Sequence, residues 1–140
     1  MRYVLDTAVW ANGVLTPAVI PERIRRILGN AKEPKGVCSV SLLECAIHDR
    51  RGRLIERPAT LDDFFNRALM RDIEILELTP AIAIATNQVP ESFPLDPFDR
   101  TIAATAKVMN LTLVTTDPEI RDSRICAVEF YPYQPSRIRP

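Results

Sequence analysis

Four carboxylates stand out by where they fall in the sequence. Asp6 closes the apolar run YVL, Glu44 ends SLLE, Asp99 lies in DPFDR, and Asp117 ends LTLVTTD. A strand that ends on an acidic residue delivers a charge to the carboxyl edge of a sheet, where sites form in α/β folds. Carboxylates brought together there repel one another, and burial raises the cost. Such a set persists only beside something positive. Oxygen-only donors suit magnesium or manganese, and a hard divalent ion held this way can bind a phosphodiester oxygen and acidify water. His48 is the only histidine, which excludes His-rich zinc sites and HExxH metalloproteases. No GxSxG elbow occurs, so the chemistry must rest on carboxylates, hydroxyls or thiols.

Each carboxylate also has a structural role open to it. Asp96 is placed to cap a helix that has Pro97 at its first position, and Asp99 would complement the same helix end. Ser41 and Glu44 match a capping box. Asp117 before Pro118 could be a helix cap. Asp6 differs, because a strand that opens a parallel sheet is mostly buried.

The elements that must position these groups can be read from hydrophobic spacing. Strands are expected at residues 2–6, 36–40, 73–78, 111–115 and 127–131. A compact TAVWANG segment ends at Gly13, and a helix with Val19, Ile20, Ile24, Ile27 and Leu28 inward stops at Gly29-Asn30. Further helices are expected from Ser41 (Leu42, Leu43, Ala46 and Ile47 inward), from Thr60 after a linker closed by Arg57-Pro58, and from Pro80. Pro90, Pro94 and Pro97 make a stiff loop before a helix over 97–110, whose small Ala103 and Ala104 would let it sit close to the sheet. A turn at Asn110 and a short helix after Pro118 complete the pattern. Strands alternating with helices predict a single α/β domain, an α/β/α sandwich with a mostly parallel sheet. The domain is expected over residues 1–132, with a Pro- and Arg-rich tail at 133–140.

The 140 residues suit one domain with a real core. Apolar content of 46% and charged content of 26% are ordinary for a globular protein, and no apolar run reaches the roughly 20 residues of a membrane span. An aspartate by the sixth residue argues against a signal peptide. Cys38, Cys45 and Cys126 are odd in number and lack CxxC spacing, as expected of reduced thiols in a cytoplasmic protein. Net charge is zero, so the chain lacks the global basic field of a bulk nucleic-acid binder. Arginines do cluster locally, at 23, 25 and 26, at 50, 51, 53 and 57, and at 137 and 139. These read as solvated faces or as local contacts for nucleic acid.

LDTAVW at 5–10, SLLE at 41–44, DPFDRTIAATA at 96–106 and LTLVTTD at 111–117 together resemble a PIN-domain protein, most closely the VapC-type toxins of toxin–antitoxin pairs. The likeness spans nearly the whole chain. It implies a magnesium-dependent ribonuclease of the PIN fold, with manganese a possible substitute. Asp6, Asp99 and Asp117 would hold the metal, and Glu44 would position or deprotonate water or hold a second ion. Asp96 would act as a cap behind them, and Thr7, Thr115 and Thr116 would orient the carboxylates through hydrogen bonds. The resemblance also implies an RNA substrate, an antitoxin partner, a homodimer, and a cytoplasmic protein with no membrane partner. ESFPL before DPFDR departs from the polar or histidine residues common there, which bears on substrate details. Two other readings remain: a non-toxic PIN nuclease in RNA processing (or one acting on DNA), and a non-catalytic PIN-fold binding module. Haloacid-dehalogenase-like phosphatases fit less well, because Ala8 stands where their second aspartate belongs. A receiver domain would need a lysine that residues 111–120 do not offer.

Overall fold

The computed structural model describes residues 1–54, 60–70, 72–93 and 96–133. Among them five strands form one sheet: β1 (Tyr3–Leu5), β2 (Lys35–Cys38), β3 (Ile73–Leu76), β4 (Thr112–Thr115) and β5 (Val128–Phe130). Their spatial order is β3-β2-β1-β4-β5, and every pair is parallel. The chain therefore builds outward from β1 on one side, then returns to build outward on the other. β1 and β4 meet at the reversal, which is where ligands bind in open α/β sheets.

Alternation along the strands sorts the core into two layers. Tyr3, Leu5, Val37 and Val114 face one way and join a buried cluster with Val9 and Trp10 of α1 (Thr7–Leu15), Ile24 of α2 (Glu22–Gly29) and Phe64 of α4 (Leu61–Ala68). Val4, Cys38, Leu76 and Leu113 face the other way, against Ile102, Ala103 and Ala106 of α6 (Pro97–Val108) and Ile120 of α7 (Pro118–Ser123). Helices thus cover both faces of the sheet. Two more, α3 (Ser39–Arg50) and α5 (Pro80–Gln88), pack against α6.

The expected architecture is present, with boundaries moved by local chemistry. TAVWANG does not stop at Gly13; it is helical through to Leu15. The helix expected to begin near Val19 is split, because Pro17 and Pro21 leave a 3-10 turn at Pro17–Val19 before α2. β2 ends earlier than expected, and α3 starts at Ser39 rather than at Ser41. That shift turns Leu43 outward, to 57% exposure, and buries Ser41 and Cys45 instead. Asn110 turns the chain with a positive φ of 54°, which asparagine tolerates better than most residues. Ala103 packs toward the sheet as expected, but Ala104 clusters with Ile82 and Ala85, so it lets α6 approach α5. The linker end at Arg57-Pro58, Pro94, and residues 134–140 of the expected tail lie outside the described residues.

Three aromatic rings join α1 to α4. Trp10 and Phe64 lie 5.6 Å apart and tilted, Trp10 and Phe65 are stacked at 6.4 Å, and the Trp10 indole donates to the Ala68 carbonyl at 2.8 Å. Phe64 is fully buried. Phe64→Ala is expected to cost about 3–5 kcal/mol of unfolding free energy, read by urea unfolding through the fluorescence of Trp10, the only tryptophan. A loss below about 1 kcal/mol would mean that this cluster does not carry the α1–α4 layer.

Candidate functional site

Asp6 is the residue after β1, and it is 8% exposed. Its backbone N–H continues the sheet ladder to the Val114 carbonyl (2.9 Å), which holds it between the ends of β1 and β4. Its carboxylate is fixed from two sides: Oδ1 accepts from the Thr7 N–H at 2.8 Å, and Oδ2 accepts from the Thr115 hydroxyl at 2.6 Å. Asp6 is thus both the cap of α1 and a charge at the sheet reversal. The Thr115 hydroxyl accepts in turn from the Asp117 N–H at 3.1 Å, so one side chain aligns two of the four acidic positions.

Asp117 caps α7, accepting from the Glu119 N–H at 2.8 Å. Asp96 caps α6, with its Oδ1 taking the N–H groups of Phe98 (2.8 Å) and Asp99 (3.4 Å). That cap distinguishes the surroundings of the two aspartates of DPFDR. Asp96 is occupied with the backbone, and Asp99 stands in the first turn with its carboxylate in the field of the other acids. Glu44 is not part of a capping box. α3 begins two residues earlier than the sequence pattern implies, Cys38 provides no side-chain cap, and Ser41 accepts from the Thr7 hydroxyl at 2.8 Å. Glu44 therefore sits in the second turn, one turn beyond that α1–α3 link. Its Oε1 is buried without a hydrogen-bond partner among the described residues, and its Oε2 lies 3.5 Å from His48 Nε2.

The proton affinities report how these charges crowd. Burial, opposed by the bonds from Thr115 and Thr7 and reinforced by Glu44 and Asp117, pushes the Asp6 carboxyl up to about 6. Burial also pushes Asp99 up to about 7, followed by repulsion from Asp6, Asp96, Glu44 and Asp117. Among the described residues the cations pair elsewhere: Lys35 with Asp72, Arg23 with Glu129, Arg121 with Asp122. The four carboxylates are coupled, but they do not close on one point. Among the described residues no three acidic, histidine or cysteine side chains are close enough to hold one ion between them. Like charges without a counter-charge have no reason to approach further. The donor chemistry nonetheless fits a hard divalent cation: oxygen atoms only, one of them buried and unpartnered, at an edge that no lysine or arginine neutralises among the described residues.

Of the three threonines expected to orient the carboxylates, Thr115 does so through its hydroxyl and Thr7 through its backbone, its own hydroxyl going to Ser41. Thr116 is half-buried and, among the described residues, makes no hydrogen bond to the four acids. Two residues make contacts that spacing in the sequence does not signal. For Ser41 the S-x-x-E pattern points to a helix cap, whereas the side chain accepts from the Thr7 hydroxyl. Arg100, inside the conspicuous motif, donates to the carbonyls of Val89 and Pro90 (both 3.2 Å) and so fastens the end of α5 to the start of α6. The arginines considered as nucleic-acid contacts are partly committed: Arg23 pairs with Glu129 and Arg26 with Glu22, both in the open. Arg57, Arg137 and Arg139 lie outside the described residues. All three cysteines are free, and burial pushes their thiols up to about 11 or 12.

The sequence profile of the PIN domain matches residues 3–124. The chain belongs to the PIN-domain family. No curated protein matches it, but solved structures share the fold of this PIN domain. It is similar to VapBC2 from Rickettsia felis, bound to a promoter DNA fragment, with a TM-score of 0.68 and 16% identity over 93% of this chain and 98% of that one. DNA-bound VapBC from Salmonella typhimurium gives 0.66 and 22% identity over the same shares. VapBC-5 from Mycobacterium tuberculosis, a member of the VapBC family of toxin–antitoxin systems, gives 0.56 and 22% over 94% and 98%.

The raised proton affinities set a pH dependence. A carboxyl that binds its proton more tightly when folded than when unfolded favours folding at low pH and opposes it once ionised. With ordinary values of 3.8 raised to about 6 and about 7, stability should fall as pH rises from about 4 to about 7. The melting temperature of the metal-free protein is expected to be higher at pH 5 than at pH 8, and Asp99→Asn should flatten that difference. A wild-type profile that rises with pH over this range would contradict the crowded-carboxylate picture.

Proposed function

We propose that this PIN domain is a magnesium-dependent endoribonuclease and the toxin of a toxin–antitoxin pair. The observation that carries the reading is the set of coupled carboxylates at the β1/β4 reversal, unpaired with any lysine or arginine among the described residues and including the partnerless Glu44 Oε1. Asp6, Asp99 and Asp117 would hold the cation, for which manganese could substitute. Magnesium bound there supplies charge to polarise the scissile phosphate and to make water a better nucleophile at neutral pH.

The residues of the chain divide the remaining work. Thr115 and the Thr7 N–H hold the Asp6 carboxylate in one orientation, so ligand geometry does not depend on a mobile side chain. Asp96 and Arg100 fix the first turn of α6, which sets the position of Asp99. Glu44, on a different helix, orients the attacking water or accepts its proton. In-line attack on the phosphodiester would leave a 5′-phosphate and a 3′-hydroxyl. The toxin role is supported by the shared fold with VapBC proteins, and with it come an antitoxin partner, a homodimer and action in the cytoplasm. Among the described residues no helix is long and apolar enough to cross a membrane.

The test is cleavage of structured RNA with magnesium, with EDTA, and with Asp6→Asn. Activity should require the metal and fall by at least about 100-fold in the variant. Undiminished cleavage by Asp6→Asn would overturn the assignment. Expression in a bacterial host separates the toxin from a non-toxic RNA-processing nuclease. Growth arrest by the wild type, relieved by Asp99→Asn, is the result expected of a toxin; unaffected growth beside RNA cleavage in vitro would favour the second reading.

A further inference from the structure

Tyr131 follows β5 and is 2% exposed, yet its hydroxyl is buried with no hydrogen-bond partner among the described residues. A buried phenol in that state has given up its bonds to water and recovered none, whereas phenylalanine would fill the same space without the loss. Its place in the fold is specific. The Tyr131 N–H donates to the Thr115 carbonyl at 3.2 Å, and Thr115 is the residue whose hydroxyl holds Asp6. Tyr131 also belongs to the buried cluster containing Leu5, Val9 and Val114, which flank Asp6 along β1, α1 and β4. Burial, and after it the Asp6 carboxylate, pushes the phenol up to about 12, so the two groups share one electrostatic environment and the phenol stays a donor.

Asp6 has capacity for another bond. Each of its oxygens accepts one hydrogen bond, and a carboxylate offers about four lone-pair sites. We propose that Tyr131 is a positioning residue of the carboxylate site, its phenol donating a third hydrogen bond to Asp6 when that carboxylate engages a divalent cation. This rests on the reading of Asp6 as a metal ligand. The third bond would restrain rotation of the carboxylate and hold the remaining lone pairs toward the ion.

The experiment compares wild type and Tyr131→Phe by calorimetric titration with magnesium chloride, by thermal unfolding without metal, and by near-ultraviolet difference absorbance on adding magnesium. The variant should fold with a metal-free melting temperature no lower than wild type, bind magnesium about tenfold more weakly, and lose a tyrosine difference band that the wild type displays. Magnesium affinity within twofold of wild type would overturn the proposal. So would a variant that fails to fold or loses stability at unchanged affinity, since the phenol would then be structural. Wild type that binds no magnesium would overturn the ligand reading of Asp6 itself, and this proposal with it, whereas normal binding by both proteins would remove Tyr131 alone.

Discussion

Everything at the carboxyl edge of this sheet depends on keeping an aspartate buried among other acids. Raising the Asp6 carboxyl from 3.8 to about 6 corresponds to roughly 3 kcal/mol disfavouring the charged form at neutral pH. Net stabilities of domains this size are about 5–15 kcal/mol, so the strain is a sizeable share. The fold bears it by anchoring Asp6 through its backbone to β4 and through its carboxylate to Thr115 and the N-terminus of α1. Among the described residues, the local rule that buried charges are neutralised is broken at this edge and kept at Lys35. Lys35, fully buried, is held by Asp72 and two carbonyl oxygens.

The topology explains why the broken rule falls here. β1 is the pivot from which the chain builds in both directions, and β1 and β4 are neighbours though more than a hundred residues apart in sequence. Their carboxyl ends bring Asp6, Thr115 and Asp117 to one edge, while the second turn of α3 and the first turn of α6 bring Glu44 and Asp99 from separate segments. Stabilising groups surround the acids without neutralising them: the caps at Asp96 and Asp117, the Arg100 clasp and the Thr7–Ser41 bond are all local or backbone-directed. The protein thus spends stability on a geometry that a divalent cation would relieve.

Much of this was legible in the sequence. Alternating strands and helices carry a strong periodic signal, and DPFDR with Pro after Asp marks a helix start whose cap the structure contains at Asp96. What misled was short-range ambiguity. Ser41 and Glu44 satisfy a capping pattern, but β2 ends at Cys38, so the helix starts early and Ser41 serves α1 instead. Helical spacing does not say which neighbour a small side chain meets, and Ala104 meets Ile82 and Ala85 of α5 rather than the sheet. Tyr131 could not be found by spacing at all, since its relation to Asp6 arises only from β5 lying beside β4.

Thermal unfolding with and without magnesium tests the central claim most directly. If the carboxylates form one cation site, saturating magnesium should raise the melting temperature of the wild type, with a stabilisation of about 2.7 kcal/mol at 100 times the dissociation constant. The gain should shrink sharply in Asp6→Asn, which removes one ligand and part of the repulsion together. A wild-type melting temperature that does not move with magnesium, or a shift equally large in Asp6→Asn, would contradict the account.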